Sequence, residues 1–204
     1  MAVSRRRLTL AALAAAAAAC LAACERAAVP PVSFQAVDIT GADYAKDLSL
    51  TDPSGQRRSL ADFKGRLVVV FFGFTQCPDV CPTTLLELAR VKTLMGADGD
   101  KVQGVFVTID PERDTPEVLK AYVDNFGAGF VALRGSLDET RATAKQFKVF
   151  YSKVPGKTEG SYSMDHTAGS FVFDTRGRVR LFTRHGAGAP AMASDLKLLL
   201  AEKA

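Results

Sequence analysis

The stretch RLVVVFFGF, residues 66–74, constrains this chain more than any other. From Leu67 to Phe72 every residue is apolar, and all but the first are β-branched or aromatic. The run has neither the alternation of a half-exposed strand nor the spacing of a surface helix. It predicts a central strand covered on both faces. Such a strand needs helical layers above and below it, and the flanking sequence supplies them. PTTLLELARVKTLMG places Leu85, Leu88, Val91, Leu94 and Met95 at helical spacing, with Pro82 suited to the first helical position and Gly96 to the stop. VQGVFVTID (102–110) reads as a second apolar strand. PEVLKAYVDNFG (116–127) reads as a helix with a proline start and a glycine stop.

Further on, FVALRG is a short strand or extended link, and LDETRATAKQFKVFY (137–151) an amphipathic helix. GSFVFDTRGRVRLFTRH (169–185) reads as two strands around the turn Asp174-Thr175-Arg176-Gly177, and a helix closes the chain. Upstream, Asp52-Pro53-Ser54-Gly55 is a turn between two short segments, which predicts a hairpin. Alternating strands and helices, followed by a strand pair, give an α/β fold: a thioredoxin-like mixed β-sheet flanked by helices, with an N-terminal β-hairpin. In open α/β sheets the functional site lies off the carboxyl ends of the strands. FTQCPDVCPTT begins at such an end and holds the two cysteines of the chain's body, Cys77 and Cys81.

The first residues read differently. Arg5, Arg6 and Arg7 precede a Leu/Ala run too short to span a bilayer, and small residues follow. Residues 1–23 are expected to be a signal peptide. Leu21-Ala22-Ala23-Cys24 resembles a bacterial lipobox, which makes Cys24 the expected lipidated N-terminus and places the protein in the cell envelope, facing the periplasm or the outside of the cytoplasmic membrane. Residues 25–45, rich in Ala and Pro, are expected to be a flexible tether, with the folded domain over 46–204. Three of the 26 Lys and Arg fall in residues 1–23, which hold none of the 22 Asp and Glu. Beyond that segment the formal charge is therefore only +1. No basic cluster interleaved with aromatics is present, so nothing asks for nucleic acid.

Cys77 and Cys81 in an exported protein can form a disulfide or, when reduced, hold a metal. Cys81 falls at or just before a helix N-terminus, where orphan amides favour thiolate. Pro78 and Pro82 each bias the preceding cysteine away from helical geometry, which puts Cys77 in a loop. Two thiolates are too few for structural zinc but suit Cu(I), with a further ligand from elsewhere. Of the two histidines, His166 enters an apolar strand beside Asp165 and Thr167, which could orient an imidazole. His185 reads as a surface or structural residue.

GFTQCPDVCPTTL, IDPERDTPE and DHTAGSFVFD together resemble the Sco/SenC family, over most of residues 46–200. That resemblance implies a membrane-anchored thioredoxin-like domain that helps mature the dinuclear copper site of cytochrome c oxidase subunit II. It implies copper, as Cu(I) or Cu(II), bound by Cys77, Cys81 and His166. Cys77 and Cys81 would also be the reactive pair and would form the disulfide of the oxidised state. Implied partners are the oxidase subunit or another copper enzyme, a periplasmic copper donor or thiol reductant, and a membrane reached through the lipid anchor. The family often has His or Lys where this chain has Gln76.

Copper delivery and thiol reduction both remain open on the sequence, as does a metal-free exported oxidoreductase using the same pair. A peroxidase of the peroxiredoxin kind would need a threonine and an arginine at the cysteine. Thr75 is near, but no arginine is implied there. Asp79 reads as a helix cap or a docking charge, Asp165 as a turn former or an orienting partner, and Met164 as packing. Asp110–Thr115 reads as a turn entering a helix, and the resemblance places it near the site.

Overall fold

The apolar run forms the centre of a six-stranded sheet. The structure, a computed structural model, describes residues 33–202. Along the chain the strands are β1 (Val37–Asp38), β2 (Ser49–Thr51), β3 (Arg57–Ser59), β4 (Leu67–Gly73), β5 (Val102–Thr108), β6 (Val131–Leu133), β7 (Tyr151–Pro155), β8 (Tyr162–His166), β9 (Gly169–Phe173) and β10 (Val179–Arg184). The helices are α1 (Val80–Leu94), α2 (Pro116–Asp124), α3 (Leu137–Gln146) and α4 (Ala189–Ala201). The main sheet has the order β1-β10-β9-β4-β5-β6. β4, β5 and β6 are mutually parallel, and β9 and β10 are antiparallel to their neighbours. Every residue of β4 and β5 is buried, as a strand covered on both faces requires. The mixed, helix-flanked thioredoxin-like sheet and the separate β2–β3 hairpin are those expected from the sequence.

Phe72, Phe147, Phe171 and Phe173 pack edge-on or tilted in the core, with ring centroids 5.1–6.5 Å apart. Phe147 sits just past the end of α3. The next residue, Lys148, has φ 54, and this left-handed turn stops the helix before the expected residue 151. The chain then enters the β7–β8 hairpin, which the sequence reading did not contain. Its burial pattern lacks a clean apolar alternation, and Lys153 and Asp165 face solvent.

The domain also starts earlier than expected. β1 pairs with β10, the amides of Gln35 and Ala36 donate to the buried Asp195 carboxylate at 2.9 and 2.8 Å, and Ala45 is fully buried. The described residues from Phe34 onward form one compact unit, so residues 34–45 belong to the folded domain and not to the tether expected over 25–45. The expected signal peptide, Cys24 and the start of that tether lie outside the described residues. Among the described residues, no helix is long and apolar enough to cross a membrane.

Candidate metal centre

Strand polarity assembles the site. β9 runs antiparallel to β4, with Phe71 opposite Ser170, so the entry to β9 lies at the exit of β4. Cys77 follows that exit and His166 precedes that entry. The donor atoms of Cys77, Cys81 and His166 all lie within 4.8 Å of one another. β5 exits at the same end and delivers the Asp110–Thr115 loop. β10 also exits there, and His185 Nδ1 meets Thr84 Oγ1 of α1 at 3.2 Å. That contact is with a threonine hydroxyl, in keeping with a structural histidine.

Both cysteines are free thiols. Cys77 sits in the loop, half-buried, as Pro78 immediately after it implies. Cys81 lies inside the first turn of α1 and is fully buried. The helix N-terminus therefore works on the other sulfur. Asp79 stands at the cap position, but its carboxylate accepts from Thr83 Oγ1, at 3.2 Å, and from no helix-end amide, while the amide of Cys81 donates to Cys77 Sγ at 3.4 Å. Cys77 thus takes the acceptor place of a capping side chain. The expectation that helix-end amides promote thiolate at Cys81 is corrected: burial pushes the Cys81 thiol upward, outweighing the Phe74 backbone hydrogen bond that opposes it. Copper or another soft cation entering here would have to displace that proton.

His166 is half-buried at the end of β8, opposite Tyr151, and its ring is edge-on to Phe74 at 6.2 Å. Its Nδ1–H donates to the Thr167 carbonyl at 3.0 Å, which leaves Nε2 with a free lone pair 4.0 Å from Cys81 Sγ. The orienting partner is thus a backbone carbonyl, not the side chains expected. The Thr167 hydroxyl takes the Phe150 amide at 3.0 Å, and Asp165 is an exposed strand residue, not a turn former. Burial holds the imidazole below its ordinary pKa, against the Thr167 bond and the Asp165 charge. That keeps it in the neutral form a metal requires. Met164 is buried and packs, as expected.

Four residues that the sequence reading gave no role support this group. Asp114 is fully buried and accepts from the Thr75 amide, from Thr75 Oγ1 at 2.6 Å and from Thr108 Oγ1. The Thr75 hydroxyl is therefore spent on Asp114 and is not offered to a cysteine. Arg113 is at the site after all: its Nη1 donates to Gln76 Oε1 at 3.0 Å. Tyr162 stacks beneath that guanidinium at 3.6 Å. Gly73 lets Cys81 approach the strand, since a Cβ there would stand 2.6 Å from the Cys81 sulfur. The available signal was the charged run DPERD directly after an apolar strand, in the position where α/β sheets place their functional loops.

Two thiols and an imidazole in one cluster form a soft, three-donor set that suits copper and falls short of a closed four-ligand zinc site. The family model for SCO1/SenC matches residues 37–201. A SCO2-like protein of Rickettsia felis is 36% identical over 133 residues, and the match spans 65% of each chain. The chain thus covers just under two thirds of that curated relative. Among solved structures, Bradyrhizobium japonicum ScoI with copper bound is similar at 38% identity and TM-score 0.68, over 75% of this chain and 97% of that one. Apo Sco1 from Thermus thermophilus is similar at 37% identity and TM-score 0.73, over 83% and 99%. Sheet, cysteine loop, histidine and family match agree, and the chain belongs to the SCO1/SenC family.

Proposed function

We propose that this protein is a copper chaperone that carries one copper ion on Cys77, Cys81 and His166. It would deliver that ion during assembly of the dinuclear copper site of cytochrome c oxidase subunit II. The observation that carries the reading is the mutual approach of two soft sulfurs and an imidazole nitrogen within 4.8 Å. Two thiolates and an imidazole serve either oxidation state of copper, with room for a further donor on Cu(II). Release would proceed by ligand exchange to cysteines of the recipient, which is either the oxidase subunit or another copper enzyme. A periplasmic copper donor would reload the site, and a thiol reductant would return an oxidised Cys77/Cys81 pair to the dithiol that copper needs. Lipidated Cys24 would hold the domain at the envelope membrane. Its test is incorporation of labelled fatty acid, expected in the wild type and lost in Cys24→Ala.

The same pair supports a second reading, favoured by the proximity of the two free sulfurs. A reduced Cys77/Cys81 pair would reduce a partner's disulfide, passing two electrons and two protons and closing its own disulfide. This reaction needs no metal and leaves His166 without a role.

Copper stoichiometry separates the two. The full chain carrying Cys20→Ala and Cys24→Ala, so that Cys77 and Cys81 are its remaining thiols, is reduced and loaded anaerobically with Cu(I). One tightly held copper is expected, and it should be weakened in Cys77→Ser, Cys81→Ser and His166→Ala alike. Absence of tight copper, or binding indifferent to His166, supports the metal-free oxidoreductase instead.

A further inference from the structure

The β7–β8 hairpin carries His166 but is not part of the six-stranded sheet. Sheet pairing alone does not fix where the imidazole stands relative to the cysteines. Arg113 bridges the two parts. Nη1 donates both to Gln76 Oε1, at 3.0 Å, and to the Tyr162 carbonyl, at 2.8 Å. Gln76 immediately precedes Cys77, and Tyr162 opens the strand that ends in His166. The guanidinium lies 3.6 Å over the Tyr162 ring and 5.9 Å from the Phe74 ring, the same phenyl that His166 meets edge-on.

The arginine is itself anchored. Its Nε pairs with Asp110, whose side chain is fully buried, and the other oxygen of that carboxylate accepts from the Tyr162 hydroxyl at 2.9 Å. Planarity matters here, because only a guanidinium can stack on a ring while its edge bonds in several directions.

We propose that Arg113, seated on Asp110, is a positioning residue that clasps Gln76 to Tyr162 and thereby holds His166 within bonding reach of the cysteine pair. The proposal rests on the copper reading for its consequence but not for its geometry, so its test has a metal-free arm. The chain has two histidines, and His185, held near Thr84, serves as an internal control. In the reduced, metal-free chain lacking Cys20 and Cys24, Arg113→Ala should shift and broaden the His166 ring signals in a proton–nitrogen NMR spectrum while those of His185 stay in place. Unchanged His166 signals, or both histidines shifting together as in general loosening, would overturn the proposal.

The second arm measures Cu(I) affinity. Loss of the clasp should weaken binding about tenfold, the lower end of what outer-shell partners of metal ligands contribute. Arg113→Ala should add no further loss in a His166→Ala background. An equal loss in both backgrounds would mean that Arg113 does not act through His166. Should Arg113→Ala fail to fold because Asp110 is left unpaired, Tyr162→Leu removes the stacking platform with the ion pair intact, and the same outcomes apply. If the wild type itself held no copper, the chaperone reading would fall, and the histidine spectrum would still decide the clasp.

Discussion

The sulfur of Cys81 rests against the backbone of Gly73, the last residue of β4, so closely that a Cβ at position 73 would stand 2.6 Å from it and 2.7 Å from the Phe106 ring. Both neighbours are buried and neither can move freely. Gly73→Ala should therefore push the first turn of α1 away from the strand, at a cost of about 1–3 kcal/mol in stability, the usual range for overpacking. On the reading that Cys81 binds copper, it should also weaken Cu(I) binding by displacing that sulfur. Chemical denaturation beside a Cu(I) competition assay checks both. Wild-type copper affinity in Gly73→Ala would show that Cys81 is not held where it must be.

Asp195 of α4 ties down the N-terminal segment by accepting the amides of Gln35 and Ala36. Asp195→Ala would leave two amides without that partner, and about 1–3 kcal/mol of stability should be lost. Fast amide exchange should appear along Phe34–Asp38 and β1 should separate from β10, while copper binding, whose donors Cys77, Cys81 and His166 make no contact with Asp195, stays as in wild type. Unaltered exchange at Gln35 and Ala36 would mean that the β1–β10 pairing alone secures the segment.

Much of this architecture was legible in the sequence, for a physical reason. Leu67–Phe72 fitted a doubly covered strand, Pro116 and the glycines marked helix ends, and the cysteines fell at a strand exit. His166 was singled out, but not how it is carried, because β7 and β8 are mostly solvated and leave no strong periodic signal. Asp79 and Asp165 sat in positions that local rules assign to caps and turns. Tertiary geometry overrode both, giving the capping bond to the Cys77 sulfur and the Asp165 position to a strand pair with Ser152. The supports around Asp114 and Arg113 depend on contacts across tens of residues, which no local pattern encodes.

Asp114 makes a pH prediction. Burial raises its carboxyl above the ordinary 3.8, overcoming the hydrogen bonds from Thr108 and Thr75 that pull it down. The folded state thus holds this proton more tightly than the unfolded one. The associated stability is complete below pH 3.8 and is lost as pH rises through the raised value. Asp114→Asn keeps an acceptor for Thr75 and removes the titration. Its stability should fall less steeply over that window, by at most about 1.4 kcal/mol per pH unit. Thermal unfolding at a series of pH values checks this, and parallel curves for variant and wild type would contradict it.

The two thiols should differ in reactivity in the order opposite to that suggested by helix position. Cys81 occupies the first turn of α1, yet it is fully enclosed and its thiol is pushed upward by burial. Cys77 is half-buried, lies outside the helix and receives the Cys81 amide on its sulfur. Iodoacetamide added to the reduced, metal-free protein should therefore label Cys77 first, roughly tenfold or more ahead of Cys81, because Cys81 is enclosed and burial holds its thiol protonated. Peptide mass spectrometry over a time course resolves the two sites, and in the chain carrying Cys20→Ala and Cys24→Ala, Cys77→Ser and Cys81→Ser each leave one thiol to be followed alone. Bound Cu(I) should protect both, as each sulfur would then be committed to the metal. Equal labelling rates, or Cys81 reacting first, would mean that the first turn of α1 opens in solution and that the enclosure around Gly73 and Phe106 does not control the pair.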